Sequence, residues 1–185
     1  MTYPLRPQTD ADLSDELKET LSRYPAGPDG STLSLFRVFA NSERFLSGKG
    51  VANLLDRHSP LSLRERELVI LRVTGRLACE YEWGVHVAAF SRLAGLSAPE
   101  IAATRAELLD GAFQDRERSL LDVVDALLAF ATLPERLRQE FQTRWTQAQQ
   151  LEVMALCSHY HLVSSVANVS GIAPEAYGVR FGDEI

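Results

Sequence analysis

Four residues of this chain have the types and spacing for proton chemistry: Glu67, Cys79, Glu82 and His86. On one helix Cys79, Glu82 and His86 stand at i, i+3 and i+7, so all three project from one face. A thiol, a carboxylate and an imidazole on one face make a proton-transfer set rather than a packing stripe. Ala78, Val85 and Ala89 flank them, which places the site at the border of a core. The i, i+4 spacing lets the Glu82 carboxylate orient the His86 imidazole and raise its basicity, leaving His86 to move the proton. The competing reading is a solvated ion pair, and the neighbours Tyr81, Trp83, Val85 and Val87 argue against it. A thiolate on Cys79 would be favoured by the positive end of a helix, which suits attack on a peroxide or an electrophilic carbon. The plain alternative for Cys79 is a small buried hydrophobe. His159 or His161 could complete a metal set with Glu82 and His86, although no compact metal motif is present. Arg72 and Arg76, one turn apart, could hold a substrate carboxylate or a partner subunit, or simply be solvated.

The elements that must position these residues read as helices nearly throughout. Thr9 or Asp10 can cap a short helix carrying Leu13, Leu17 and Leu21. Pro25-Ala26-Gly27-Pro28-Asp29-Gly30 is a break, followed by the apolar set Leu33, Leu35, Phe36, Val38 and Phe39. Helix signals resume from Ser42 to about Asp56. Ser62-Leu63-Arg64-Glu65 is a capping box that opens a helix running towards Leu77. The next helix begins near Cys79 and stops at Gly95, a C′ glycine. Ser97 to Glu100 is a second capping box, with Pro99 in its first turn. Helical apolar spacing returns from Asp115 to Ala131, Pro134 starts a further helix, and Thr146 to Gln149 caps a long apolar helix ending near Gly171. No window alternates as a strand does, no repeat emerges and no segment is of low complexity. The fold class is all-α.

The chain of 185 residues, 45% hydrophobic and 24% charged, is sized for one soluble globular domain with a full core. Its formal net charge of −6 and the lack of any basic run argue against nucleic acid and anionic membrane surfaces as partners. Apolar runs are too short to span a bilayer, and the start Met1-Thr2-Tyr3-Pro4 lacks the apolar stretch of a secretory signal. Two distant cysteines, Cys79 and Cys157, fit a reduced, cytoplasmic protein.

Glu67, eleven residues, Cys79-Glu80-Tyr81-Glu82, three residues and then His86 resemble the signature of the carboxymuconolactone decarboxylase family, which includes the alkyl hydroperoxidase D-type proteins. In the peroxidase branch the motif is a glutamate, eleven residues, Cys-x-x-Cys, three residues and a histidine, so Glu82 stands where that branch has its second cysteine. Arg64-Glu65-Arg66-Glu67-Leu68 and Gly95-Leu96-Ser97-Ala98-Pro99-Glu100-Ile101 are similar to the family's flanking sequence. The likeness covers residues 45–107 well and the rest loosely, within a single domain of residues 1–185 whose residues 1–30 form an N-terminal arm. It implies an alkyl hydroperoxidase D-like helical bundle assembled as a homotrimer or homohexamer, with pockets near subunit interfaces and no cofactor or metal.

Without the second cysteine a dithiol cycle cannot run. Any peroxidase activity would use Cys79 alone, resolved by Cys157 or an external thiol. The leading expectation is therefore cofactor-independent acid/base chemistry on a small carboxylated or lactone-type molecule. His86 is the acid/base, Glu82 its orienter or a second acid, Glu67 the completion of the relay and Cys79 a pocket thiol. Arg72, Arg76, Tyr81 and Trp83 are the candidate substrate contacts. A thiol peroxidase working through Cys79 is the second expectation, and a non-catalytic ligand-binding or assembly protein the third.

Overall fold

The computed structural model describes residues 2–24, 32, 34–47, 58–107, 109 and 111–184. Its regular structure among these is helical: α1 Asp15–Leu21, α2 Ser34–Phe39, α3 Glu43–Leu46, α4 Leu63–Arg76, α5 Glu80–Phe90, α6 Ala98–Ala103, α7 Asp115–Phe130, α8 Glu135–Arg144 and α9 Gln147–Ser170. The Pro25–Gly30 break, Leu33 and the expected helical stretch from 48 to 56 lie outside the described residues. No helix among the described residues is long and apolar enough to cross a membrane.

Packing divides the chain into two compact units, one of residues 1–60 and 142–155, the other of residues 61–141 and 156–185. In the first, Leu13, Leu21, Ala40 and Leu46 are buried with Tyr24, Phe36 and Phe39 packed against them. The Tyr24 and Phe36 rings lie 4.6 Å apart, and the Tyr24 hydroxyl donates to the Leu46 carbonyl. The start of the chain is tied within this unit, where the Tyr3 amide donates to the Gln142 carbonyl at 2.6 Å and Gln150 donates to the Tyr3 carbonyl at 2.8 Å. The first helix departs from expectation. Thr9 spends both its amide and its hydroxyl on the Asp12 carboxylate, closing a turn, and Ser14 caps the helix instead by accepting from the Leu17 amide.

The second unit is built round α4, which packs against α5 and α7. Its capping box is present: Ser62 accepts from the Glu65 amide, and Glu65 accepts from the Ser62 amide. Every residue from Arg66 to Thr74 is buried, so α4 is covered on all sides. The corner into α5 is tight. Ala78 sits at φ +50, a conformation that costs an L residue about 1–2 kcal/mol, and the Cys79 amide donates back to the Thr74 carbonyl at 2.9 Å. Ser97 and Glu100 form the second capping box, and Gly95 takes the positive φ expected of it.

The C-terminal segment beyond α9 lies along α5. The Val179 amide donates to the Gly84 carbonyl at 3.2 Å, and a Cβ at Gly84 would run into the Val179 carbonyl oxygen, so the approach requires glycine. Phe181 packs edge-on to Trp83 at 5.2 Å, under the Arg105 guanidinium.

Candidate active site

The long helices α4, α5 and α9 each contribute to a site around His86. From α4 comes Glu67, fully buried although the charge run Arg64-Glu65-Arg66-Glu67 has the look of a surface in the sequence. Its Oε2 lies 2.7 Å from His86 Nδ1, and its Oε1 takes a 3.4 Å contact from Arg66 Nε. From α5 come His86 itself, 2% exposed, and Glu82, whose Oε1 lies 3.4 Å from His86 Nε2. From α9 comes Tyr160, whose hydroxyl is 3.2 Å from the same Nε2 and whose ring stands edge-on to the imidazole at 87°. Phe90 closes another side of the ring, 5.2 Å between centroids.

Of the two roles read for Glu82 in the sequence, orienter or second acid, the geometry gives the orienting contact to Glu67. Glu67, not Glu82, orients the imidazole by taking Nδ1–H. Glu82 faces Nε2, the working nitrogen. Burial alone would hold His86 neutral, but the hydrogen bonds and charges of Glu67 and Glu82 outweigh it, and its pKa lies above the ordinary 6.5. The two carboxylates thus favour the imidazolium, in which Nδ1–H donates to Glu67 and Nε2–H is available to Glu82 or Tyr160. The Tyr160 phenol keeps its proton well above the usual tyrosine range, because of burial first and the Glu82 and Glu67 charges next. Together these groups can store a proton at Nε2, donate a second hydrogen bond beside it and pass charge to Glu82.

Of the other sequence candidates, none is brought to the imidazole by a hydrogen bond. Cys79 is fully buried at the N-cap of α5 and makes no capping bond with its side chain. Both cysteines are free, and burial, reinforced by the Asp125 charge, pushes the Cys157 thiol up to about 12, which makes it a poor resolving thiol. Arg72, fully buried, is committed to Asp125 at 2.5 and 2.8 Å and to the Thr104 and Ala106 carbonyls at 3.1 and 2.6 Å. Arg76 lies 3.9 Å from the same Asp125. The Trp83 indole is core, with Nε1–H donating to Thr104 at 3.1 Å, and the Tyr81 hydroxyl donates to Glu175 at 2.9 Å in the C-terminal segment. The two arginines are thus turned to Asp125, and the two aromatics to Thr104 and Glu175, and none of the four is joined to His86 by a hydrogen bond.

His159 packs its ring on Tyr160 rather than reaching Glu82, and His161 is exposed. Among the described residues no three histidine, cysteine, aspartate or glutamate side chains gather as a metal-ligand set. Sequence reasoning passed over Tyr160 between those histidines. The signal was its position on the buried face with Val153, Leu156 and Cys157, where a tyrosine hydroxyl needs a polar partner.

A buried Glu–His pair on packed helices, with a phenol and a second carboxylate at the outer nitrogen, has the parts that general acid/base chemistry uses, on an all-helical scaffold. The comparisons with known proteins bear on the family and the fold. Residues 49–126, which carry Glu67, Cys79, Glu82 and His86, match the model of the carboxymuconolactone decarboxylase family. Tyr160 lies outside the matched residues. An uncharacterised peroxidase-related protein from Silicibacter sp. TM1040, known from its crystal structure, is similar in fold: the TM-score is 0.62 at 19% identity over 100% of this chain and 96% of that one. No curated protein gives a significant match.

Proposed function

We propose that the chain is a cofactor-independent acid/base enzyme that decarboxylates a small keto acid or lactone acid. The observation that carries this reading is the division of labour at His86: Nδ1 is held by the buried Glu67 at 2.7 Å, and Nε2 is left facing Tyr160 and Glu82. In such a reaction the bond to the carboxylate breaks, carbon dioxide leaves, and its electron pair remains as an enolate. The Nε2 proton of His86 then returns to carbon, with Glu67 stabilising the imidazolium before transfer. A positioned general acid of this kind is worth roughly 10²–10⁴-fold in rate. Carbon dioxide release from a panel of β-keto acids and γ-lactone acids tests the reading. His86→Gln is expected to lose at least about 10²-fold in kcat/KM, while Cys79→Ser keeps its rate. A wild type that releases carbon dioxide from none of them, or a His86→Gln variant as fast as wild type, would sink it.

The peroxidase-related structural neighbour and the free Cys79 favour a second reading, a one-cysteine peroxidase of the same fold. It expects thiol-dependent peroxide turnover, a sulfenic acid or disulfide on Cys79 by intact mass, and loss of both in Cys79→Ser. The homotrimer or homohexamer implied by the family likeness belongs to the proposal in either case.

A further inference from the structure

We propose that this site also catalyses proton exchange beside a carbonyl group, with Tyr160 and His86 Nε2–H holding the carbonyl oxygen while the Glu82 carboxylate removes and returns the proton of the neighbouring carbon. The inference rests on the acid/base reading above and extends it to a substrate class: small ketones, keto acids and lactones with a C–H next to the carbonyl.

The geometry at Nε2 is what points there. Tyr160 Oη and His86 Nε2 are 3.2 Å apart, so an oxygen at hydrogen-bond distance from each closes a nearly equilateral triangle. Two donors so close together would make a site for an oxyanion once a ligand oxygen enters between them, in surroundings where each residue is only 2% exposed. The Tyr160 ring is fixed edge-on to the imidazole, and His86 is fixed from behind by Glu67. Among the described residues the phenol has no other hydrogen-bond partner, so turning it to a ligand breaks nothing else.

Glu82 differs from the rest in exposure. Its side chain is 18% exposed, against 2% for His86 and 0% for Glu67. It is the carboxylate of the group that can meet a substrate carbon and exchange its proton with water. A further hydroxyl waits one turn along α9 from Tyr160. Ser164 Oγ is buried with no hydrogen-bond partner among the described residues, on a line from Tyr160 at His86 to Asn168, which donates to the Leu77 carbonyl at 2.9 Å. That line follows the first turns of α5, where a second oxygen of a keto acid or lactone would satisfy the hydroxyl.

The step balances without a further reactant. Glu82 takes the proton, the C–H electron pair becomes the C=C bond of an enol, and the carbonyl π pair moves to oxygen. That oxygen takes the Nε2 proton of the His86 imidazolium under a hydrogen bond from Tyr160. Reversal restores the ketone, and in D2O it leaves a deuteron on carbon.

The test is deuterium exchange at the carbons flanking the ketone of 4-oxopentanoate in D2O, followed by proton NMR. Wild type is expected to exchange faster than buffer, Tyr160→Phe to lose about 10²-fold of the enzyme-dependent rate with helical circular dichroism unchanged, and Glu82→Gln to lose all of it. The wild-type exchange should fall towards high pH, as His86 gives up the Nε2 proton that the carbonyl oxygen needs. Wild-type exchange at the buffer rate, or Tyr160→Phe exchange at the wild-type rate, overturns the inference. Exchange without carbon dioxide release from any acid removes the decarboxylase reading and keeps this one. Carbon dioxide release without exchange does the reverse.

Discussion

At the scale of single residues, the site is a balance between burial and charge at His86. The imidazole is faced by Glu67 from α4, Glu82 from α5 and Tyr160 from α9, with Arg66 beside Glu67. Its pKa is raised in the folded chain, so the stability it contributes is fully present below the ordinary value of 6.5 and is lost as pH rises through the folded value. The unfolding free energy of wild type should therefore fall with pH above that point, while His86→Gln is flatter in the same window. Urea unfolding across pH 5–9 reads this, and a His86→Gln curve with the wild-type slope would contradict it. The pair Glu82–His86 was legible in the sequence because i, i+4 neighbours on a helix must meet. Which carboxylate holds Nδ1 was not, because the contact with Glu67 joins different helices. Tyr160 was harder still: its partner is distant in sequence, and an inward tyrosine is indistinguishable from core until its hydroxyl is located.

At the scale of elements, what the sequence made legible was local. The boxes Ser62–Glu65 and Ser97–Glu100 and the start of α7 at Asp115 depend on residues three or four apart, and they stand where expected, whereas α5 ends at Phe90 and reaches the positive φ of Gly95 through a run of turns. What it concealed was the centrality of α4. A helix with Arg64, Glu65, Arg66, Glu67 and Arg72 looks half solvated, yet ion pairs with other helices let it be enclosed. Arg64 bridges Glu100 and Glu117, and Arg72 joins α7 to the carbonyls after α6. Because Arg72 is fully buried, its removal leaves Asp125 and two carbonyls without their donor. Arg72→Ala should cost about 3 kcal/mol in urea unfolding, the lower end for breaking a buried pair, since Asp125 is partly open to water. The folded fraction should keep the wild-type KM. A normal stability with a raised KM would instead return Arg72 to the substrate role first read from the sequence.

At the scale of the whole molecule, α9 carries two faces of different fate. One buries Cys157, Tyr160 and Ser164 in its own unit. The opposite face exposes Leu162 at 61%, Val166 at 57% and Val169 at 88%, an i, i+4, i+7 stripe that continues into Ile172 at 45%. Aliphatic side chains of this size each gain about 1.5–3 kcal/mol on full burial, so covering this stripe would contribute to any contact that forms over it. The family likeness implies trimers or hexamers, and we propose that this stripe is part of the contact between copies. Replacing Leu162 and Val166 together by glutamate puts two charges into that contact without touching the buried face. Light scattering coupled to size exclusion should then find the wild type as three or six chains and the double variant as one, with helical circular dichroism retained. A wild type that runs as a single chain, or a double variant that assembles as wild type does, would show that the stripe serves no such contact.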